Sequence, residues 1–187
     1  LDQEGQRFLA NIRLGAERMN ELIDDLLAYS RLEQRHLRLE AIALGELWEN
    51  LQAERQADIT SRQMTITSEL LRPEISADKE SLKQILRNLL DNALKFTEHT
   101  SQPHITLRCH DNASVWVLQV QDNGIGFDMR YHDRIFEMFQ RLQRQEDYPG
   151  TGVGLAIVRK AVERMGGRTW ATSMPGQGAT FFVEIAK

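Results

Sequence analysis

The segment RNLLDNALKF carries four side chains able to hold a charged ligand. Asn88, Asn92, Lys95 and Phe96 stand at offsets 0, 4, 7 and 8, which puts them on one face of a helix. Leu82, Leu86, Leu89 and Ala93 lie roughly a third of a turn away and face a core. Two amides, an ammonium and an aromatic ring therefore border buried surface. An amide oxygen is a hard donor suited to Mg²⁺, which keeps several waters and takes other ligands from phosphates. The lysine is a point charge for phosphate, and the ring offers a base a stacking surface. The same spacing also describes a solvated face with satisfied amides, and this segment alone leaves both readings open.

Three further segments carry chemistry. In Asp122-Asn123-Gly124-Ile125-Gly126, Asp122 shares a strand face with Trp116, Leu118 and Val120, the expected core side. A carboxylate there needs a donor, and the exocyclic amine of adenine is one. The glycines let backbone approach a ligand closely, although Asn-Gly is also a common turn. In Gly150-Thr151-Gly152-Val153-Gly154-Leu155, glycines open a helix whose free N–H groups and dipole attract phosphate. No Gly-Lys-Ser/Thr follows, so this is not a P-loop, nor does it match the dinucleotide pattern after a strand. Between these lie Phe136-Glu137-Met138-Phe139 and Arg141. Here two aromatics could anchor a lid and an arginine could reach phosphate oxygens. A small apolar cluster with a surface arginine fits the same residues.

These segments need elements to position them. Residues 1–34 are expected to form one helix, with a heptad seam through Leu9, Ile12, Ala16, Met19, Ile23, Leu26 and Ser30. Phe8, Leu22, Leu27 and Tyr29 widen that face toward a helix bundle. The chain supplies one such helix, so the bundle's other members must come from a second copy or a preceding helix. A short strand is expected at Leu37 and Leu39, and a helix over 44–61 with Leu44, Leu47, Trp48 and Leu51 buried. Met64–Leu70 is expected as a strand. Asp78 should cap a helix running from Lys79 to Phe96. Ile105–Cys109 and Val115–Asp122 are expected as a hairpin turning near Asp111-Asn112. Residues 127–150, polar and irregular, read as a functional loop or lid. A helix should run from Gly150 to Met165, stopped by Gly166-Gly167. Closing strands follow at Arg168–Ser173 and Ala179–Ile185. The order predicts an α/β (α+β) two-layer sandwich, its mixed sheet covered by helices on one face.

Composition narrows the setting. The chain has 187 residues and a net charge of −4, with no Lys/Arg-rich block, so nucleic acid is not an expected partner. One cysteine, Cys109, can form neither an internal disulfide nor a zinc cage. No apolar run approaches the roughly 18–20 residues of a membrane helix. No direct membrane contact from this stretch and a reducing, cytoplasmic setting are therefore expected. Leu1 falls inside an already helical pattern, which reads as an internal boundary.

Taken in order, NLLDNALKF (88–96), DNGIG (122–126), FEMF (136–139) and GTGVGL (150–155) resemble the N, G1, F and G2 boxes of the sensor histidine kinase catalytic domain, within the GHKL superfamily. Residues 1–34 resemble the second helix of that family's dimerisation and phosphotransfer bundle. The stretch FQRLQRQEDYPGTGVGL looks most like kinases with PAS, GAF or phytochrome-type sensors. The resemblance implies a Bergerat ATP-binding sandwich over 36–187 behind a partial bundle over 1–35. It implies that Asn92 holds Mg²⁺ with Asn88 lining the same site, and that Lys95 and Arg141 contact phosphates. Phe96 would pack on the nucleotide and Asp122 would bind the adenine amine. Gly124, Gly126, Gly150, Gly152 and Gly154 would supply hinges and backbone contacts. Phe136, Phe139, Thr151, Val153 and Leu155 join the ATP-binding set through their boxes. The implied reaction moves the ATP γ-phosphate to a histidine and on to an aspartate of a response regulator, in a homodimer joined through the bundle. The resemblance also implies a bacterial source, with a parent either soluble or membrane-tethered.

The family's acceptor histidine lies on the preceding helix, in a context that His36, His99, His104, His110 and His132 all lack. The chain is thus expected to keep the kinase engine without the acceptor. Gyrase-, mismatch-repair- and chaperone-type ATPases generally carry a glutamate base where Asn88 stands. An amide cannot take a proton from water at neutral pH, which argues against a hydrolase and against the related serine kinases. A non-catalytic nucleotide-binding or dimerisation module is the remaining alternative.

Overall fold

The computed structural model describes residues 2–70, 74–143 and 147–187. Helix α1 (Gln3–Gln34) starts where the Asp2 carboxylate accepts the Gly5 N–H at 2.8 Å, which satisfies one of the helix's free donors. Its heptad seam points outward, with Leu9, Ile12, Met19 and Ile23 each more than half exposed. The opposite side of its second half is docked. Leu22, Ala28 and Tyr29 pack against the core, and Leu32 is buried in it.

Strands β1 (Leu39–Ala43) and β3 (Glu74–Asp78) form a separate antiparallel pair. The strand expected at Leu37 begins two residues later, and β3 was not expected. The anticipated helix over 44–61 is two, α2 (Leu44–Glu54) and α3 (Gln56–Ser61). At the break, Arg55 has φ −115° and ψ 12°. Its guanidinium grips Asp91 with bonds of 2.7 and 3.0 Å, a tertiary tie that sequence periodicity does not register.

Helix α4 (Lys79–Phe96) runs over the expected residues, and the Asp78 carboxylate accepts the Ser81 N–H at 2.9 Å. The main sheet contains β2 (Thr65–Leu70), β4 (His104–Asn112), β5 (Val115–Asp122), β6 (Arg168–Ser173) and β7 (Ala179–Ala186), in the order β2-β4-β5-β7-β6. β2 runs parallel to β4 and every other pair is antiparallel. The β4–β5 turn falls at 113–114, because pairing continues through Asn112↔Val115. Helix α5 (Gly154–Arg164) begins at the last glycine of its loop rather than the first.

Helices α4 and α5 lie side by side on the sheet. Leu82, Leu86, Leu89, Val158 and Val162 meet Ile105, Leu107, Leu118, Val120, Val183 and Ile185, all buried. Each such side chain stabilises the fold by about 1.5–3 kcal/mol relative to exposure. This layer fixes the height of the polar face of α4 above the sheet. Residues 127–150 contain two short 3₁₀ turns, Met129–Tyr131 and Arg134–Phe136; 144–146 of this expected lid lie outside the described residues. Among the described residues no helix is long and apolar enough to cross a membrane.

Candidate active site

A cleft of about 520 Å³ opens between α4, the ends of β5 and β7, the segment 127–150 and the glycine loop before α5. Asn88, Asn92, Lys95, Phe96, Asp122, Gly126, Arg141, Gly150, Thr151, Gly152, Gly154 and Leu155 all line it. The amide-bearing face of α4 and the terminal carboxylate of β5 therefore open onto one hollow.

Asp122 lies at its floor, 5% exposed. Its carboxylate accepts the Gly124 N–H at 2.9 Å and also the Ala179 N–H. Burial pushes its carboxyl up to about 6, against the downward pull of those two donors. Such a group binds a neutral donor well, because pairing relieves the cost of burying it.

On α4, the Asn88 Nδ2 donates to the Gln84 carbonyl at 2.8 Å, turning Oδ1 toward the start of α5. A Cβ at Gly154 would come within 2.7 Å of that oxygen, so glycine lets the two helices approach there. Lys95 Nζ sits 4.4 Å from the centre of the Phe96 ring. Burial lowers its pKa, the Arg141 charge adds to that, and Asp91 opposes it. The Arg141 guanidinium donates to the Tyr148 and Gly150 carbonyls, both at 2.6 Å, so it clasps the lid's return into the glycine loop.

Some predicted residues lie elsewhere. Gly124, Phe136, Phe139 and Val153 do not line the cleft. At Gly124 a Cβ would stand 2.3 Å from the Phe96 carbonyl oxygen, which the Ile125 N–H also approaches at 3.1 Å. Its role here is to let the end of α4 close on the end of β5. Phe136 is buried edge-on against Phe181, centroids 6.4 Å apart, and Val153 is fully buried. Phe139 does not anchor the lid as expected. The residue is 57% exposed and its φ is +63°, while its N–H bonds the Gly152 carbonyl at 2.9 Å. Phe136 and the partly buried Met138 hold that segment instead.

Several lining residues were missed, among them Asp91, Phe127, Gln140, Ala179 and Phe181, and two further sets stand out. Tyr148, buried, packs on Phe96 with centroids 5.4 Å apart; its place beside Pro149, just before the glycines, is the one available signal. Glu21, Asp24 and Asp25 of α1 also line the cleft, and read in sequence they are only the polar side of a bundle helix. None of the five histidines lines it. His36, His99, His110 and His132 are exposed and His104 is half-buried.

A mixed sandwich with a buried acid facing an amide-bearing helix, roofed by a glycine-entered helix, is the Bergerat architecture. The chain belongs to the histidine kinase-, DNA gyrase B- and HSP90-like ATPase family, whose model matches residues 77–187. It is 35% identical to phytochrome-like protein Cph1 of Synechocystis sp. over 99% of its own length and 24% of that protein's. It is also similar to the solved structure of full-length ShkA in complex with AMPPNP, with TM-score 0.77, 28% identity, and 99% of this chain and 39% of that one covered. The fold likewise matches histidine kinase ThkA in complex with response regulator protein TrrA, with TM-score 0.76, 23% identity, and 100% and 52% covered. The chain thus spans about a quarter of the phytochrome-like relative it matches.

Proposed function

We propose that the cleft binds ATP with Mg²⁺ and that the chain is the catalytic core of a sensor histidine kinase. The observation that carries this reading is that Asn92 and Asp122 line one cleft, a metal-suited amide on a helix and a buried acid on the strand end across from it. Asp122 would accept the adenine amine, and Phe96 and Tyr148 would wall the nucleotide. Lys95, Arg141 and the start of α5 would neutralise its phosphates. Asn92 would hold Mg²⁺ with Asn88 beside it. Their oxygens are hard donors of the kind that shares the ion with phosphates and water, and when bound the ion neutralises charge on the β- and γ-phosphates.

The transfer itself asks the protein for positioning. A histidine ring nitrogen attacks the γ-phosphorus, the bridging P–O bond breaks, and its electron pair leaves on ADP. Asn88 stands where a water-activating base would be needed, and a carboxamide is no such base. That favours phosphate transfer over hydrolysis. Since no histidine of this chain lines the cleft, the acceptor would be presented from outside, on the other bundle helix. From there the phosphate would pass to an aspartate of a receiver domain, the kind of partner that the ThkA–TrrA complex pairs with its kinase. Residues 1–35 would form the second bundle helix and 36–187 the catalytic domain. The outward seam of Leu9, Ile12, Met19 and Ile23 would join two copies.

Labelled ATP added to this chain together with a bundle fragment carrying the acceptor should place acid-labile phosphate on that fragment's histidine. The chain alone should gain none. Nucleotide binding without transfer under any pairing would leave a non-catalytic module, and label on one of the chain's own histidines would refute the account of the acceptor.

A further inference from the structure

We propose that Asn123 is a positioning residue for purine recognition: its side-chain amide ties the turn after Asp122 to the chain entering β4, and so fixes where the Asp122 carboxylate meets the amine of the base. The proposal deepens the reading of the cleft as a nucleotide site and rests on it.

An asparagine in an Asn-Gly turn commonly bonds its own backbone two residues on. Here Asp122 makes the local bond instead, its carboxylate accepting the Gly124 N–H. The Asn123 side chain is left to reach across the fold. Its Oδ1 accepts the His104 N–H at 2.8 Å, and its Nδ2 donates to the Gln102 carbonyl at 2.8 Å. These partners dictate the orientation of the amide, because a flipped one would set donor against donor and acceptor against acceptor. A third bond runs from the Asn123 backbone N–H to the His104 carbonyl at 3.3 Å. One residue therefore holds both ends of the segment Gln102-Pro103-His104, and its side-chain partners stand 19 and 21 positions away.

That segment is itself anchored. Pro103 is buried, and its carbonyl accepts the Thr65 N–H at 3.0 Å, where β2 begins. Strand β4 starts at His104, and its next residue, Ile105, pairs with Asp122 at the end of β5. Strands β4 and β7 flank β5 on opposite sides. On the β7 side, Gly178 packs so closely that a Cβ would lie 2.0 Å from the Asp122 carbonyl oxygen and 2.7 Å from the Asn123 Cα. The backbone at 122–123 is thus held by close contact on one side and by the Asn123 bonds on the other. Asn123 is exposed and does not line the cleft, so its contribution to recognition passes through Asp122. A hydrogen bond weakens steeply as its angle drifts, and an acceptor already held in place has less freedom to lose when the ligand pairs with it.

Calorimetry on the whole chain tests this by comparing ATP with purine riboside triphosphate, which lacks only the exocyclic amine, each with Mg²⁺. Wild type should bind ATP at least about tenfold more tightly, as expected of a hydrogen bond to a charged acceptor. Asn123→Ala should cut that preference to about threefold, by weakening ATP while the amine-free nucleotide binds within about twofold of wild type. Asn123→Asp keeps the bond from the His104 N–H and gives up the one to Gln102, so its preference should fall between the two. An asparagine that merely supported the fold would weaken both nucleotides alike. The proposal is overturned if both folded variants keep the full preference, or if they lose affinity for the two nucleotides in equal measure. If the folded wild type binds both nucleotides equally, or neither, the assignment of Asp122 to the amine falls first, and the role of Asn123 with it.

Discussion

At its Asp122 end the cleft is walled by β5, β7 and the last turn of α4, with Gly124 closed against the Phe96 carbonyl and Phe181 behind. At its Thr151 end the walls are irregular chain. There Arg141 clasps two carbonyls, Phe139 sits at positive φ in solvent, and Asp25 reaches in from another helix. The first end is backed by a close-packed core that resists deformation. The second is held by polar ties that can be exchanged for ligand contacts. A nucleotide site with this division fixes the base rigidly and lets phosphates, lid and bundle helix settle around it.

Breaking the rigid end should cost most. Gly124→Ala drives a Cβ into backbone, 2.3 Å from the Phe96 oxygen, and should destabilise the fold by about 2–4 kcal/mol, read from the denaturant midpoint. Asp122→Asn should leave the fold intact and weaken nucleotide binding roughly 30-fold, the loss of a hydrogen bond to a buried charged acceptor.

The same residue predicts a pH dependence. The Asp122 carboxyl is raised by burial to about 6 from 3.8. Its contribution to stability is therefore fully present below the unfolded value and is lost as pH rises through about 6. Wild type should lose stability relative to Asp122→Asn between roughly pH 4 and 6. Identical denaturation curves for the two proteins across that window would contradict the assignment.

At the flexible end effects should shrink. Asn92→Ala should reduce binding about tenfold with Mg²⁺ and much less with the metal chelated. Arg141→Ala should reduce it only about threefold. The lost phosphate contact would be partly offset by a lid freed to move. If Arg141→Ala exceeds Asp122→Asn, the division between the two ends is wrong.

Legibility in the sequence followed the same line. Helix α4 could be read to its ends because its cap, its apolar stripe and its amide stripe agree, and its three polar positions and Phe96 all reach the cleft. Strand β3 escaped because its five residues, though they alternate, form a short run between Pro73 and the cap of α4 that local pattern does not separate from a loop. The break at Arg55 depends on Asp91, 36 residues away. Phe139 and Gly124 were assigned by motif, whereas their positions here depend on backbone geometry: a positive φ at one, a close approach at the other. The acids of α1 were invisible because nothing local marks which side of a bundle helix will dock.

The central claim is a single hollow that reads a purine with Asp122 and holds its phosphates opposite. Mg-ATP titrated calorimetrically at pH 7 into the wild-type chain and into Asp122→Asn, with circular dichroism to check the fold, tests it most directly. The account predicts saturable binding to the wild type that falls when the metal is chelated, and binding to the variant weakened by more than an order of magnitude. Equal binding by the two folded proteins, or no heat from the wild type, would contradict it.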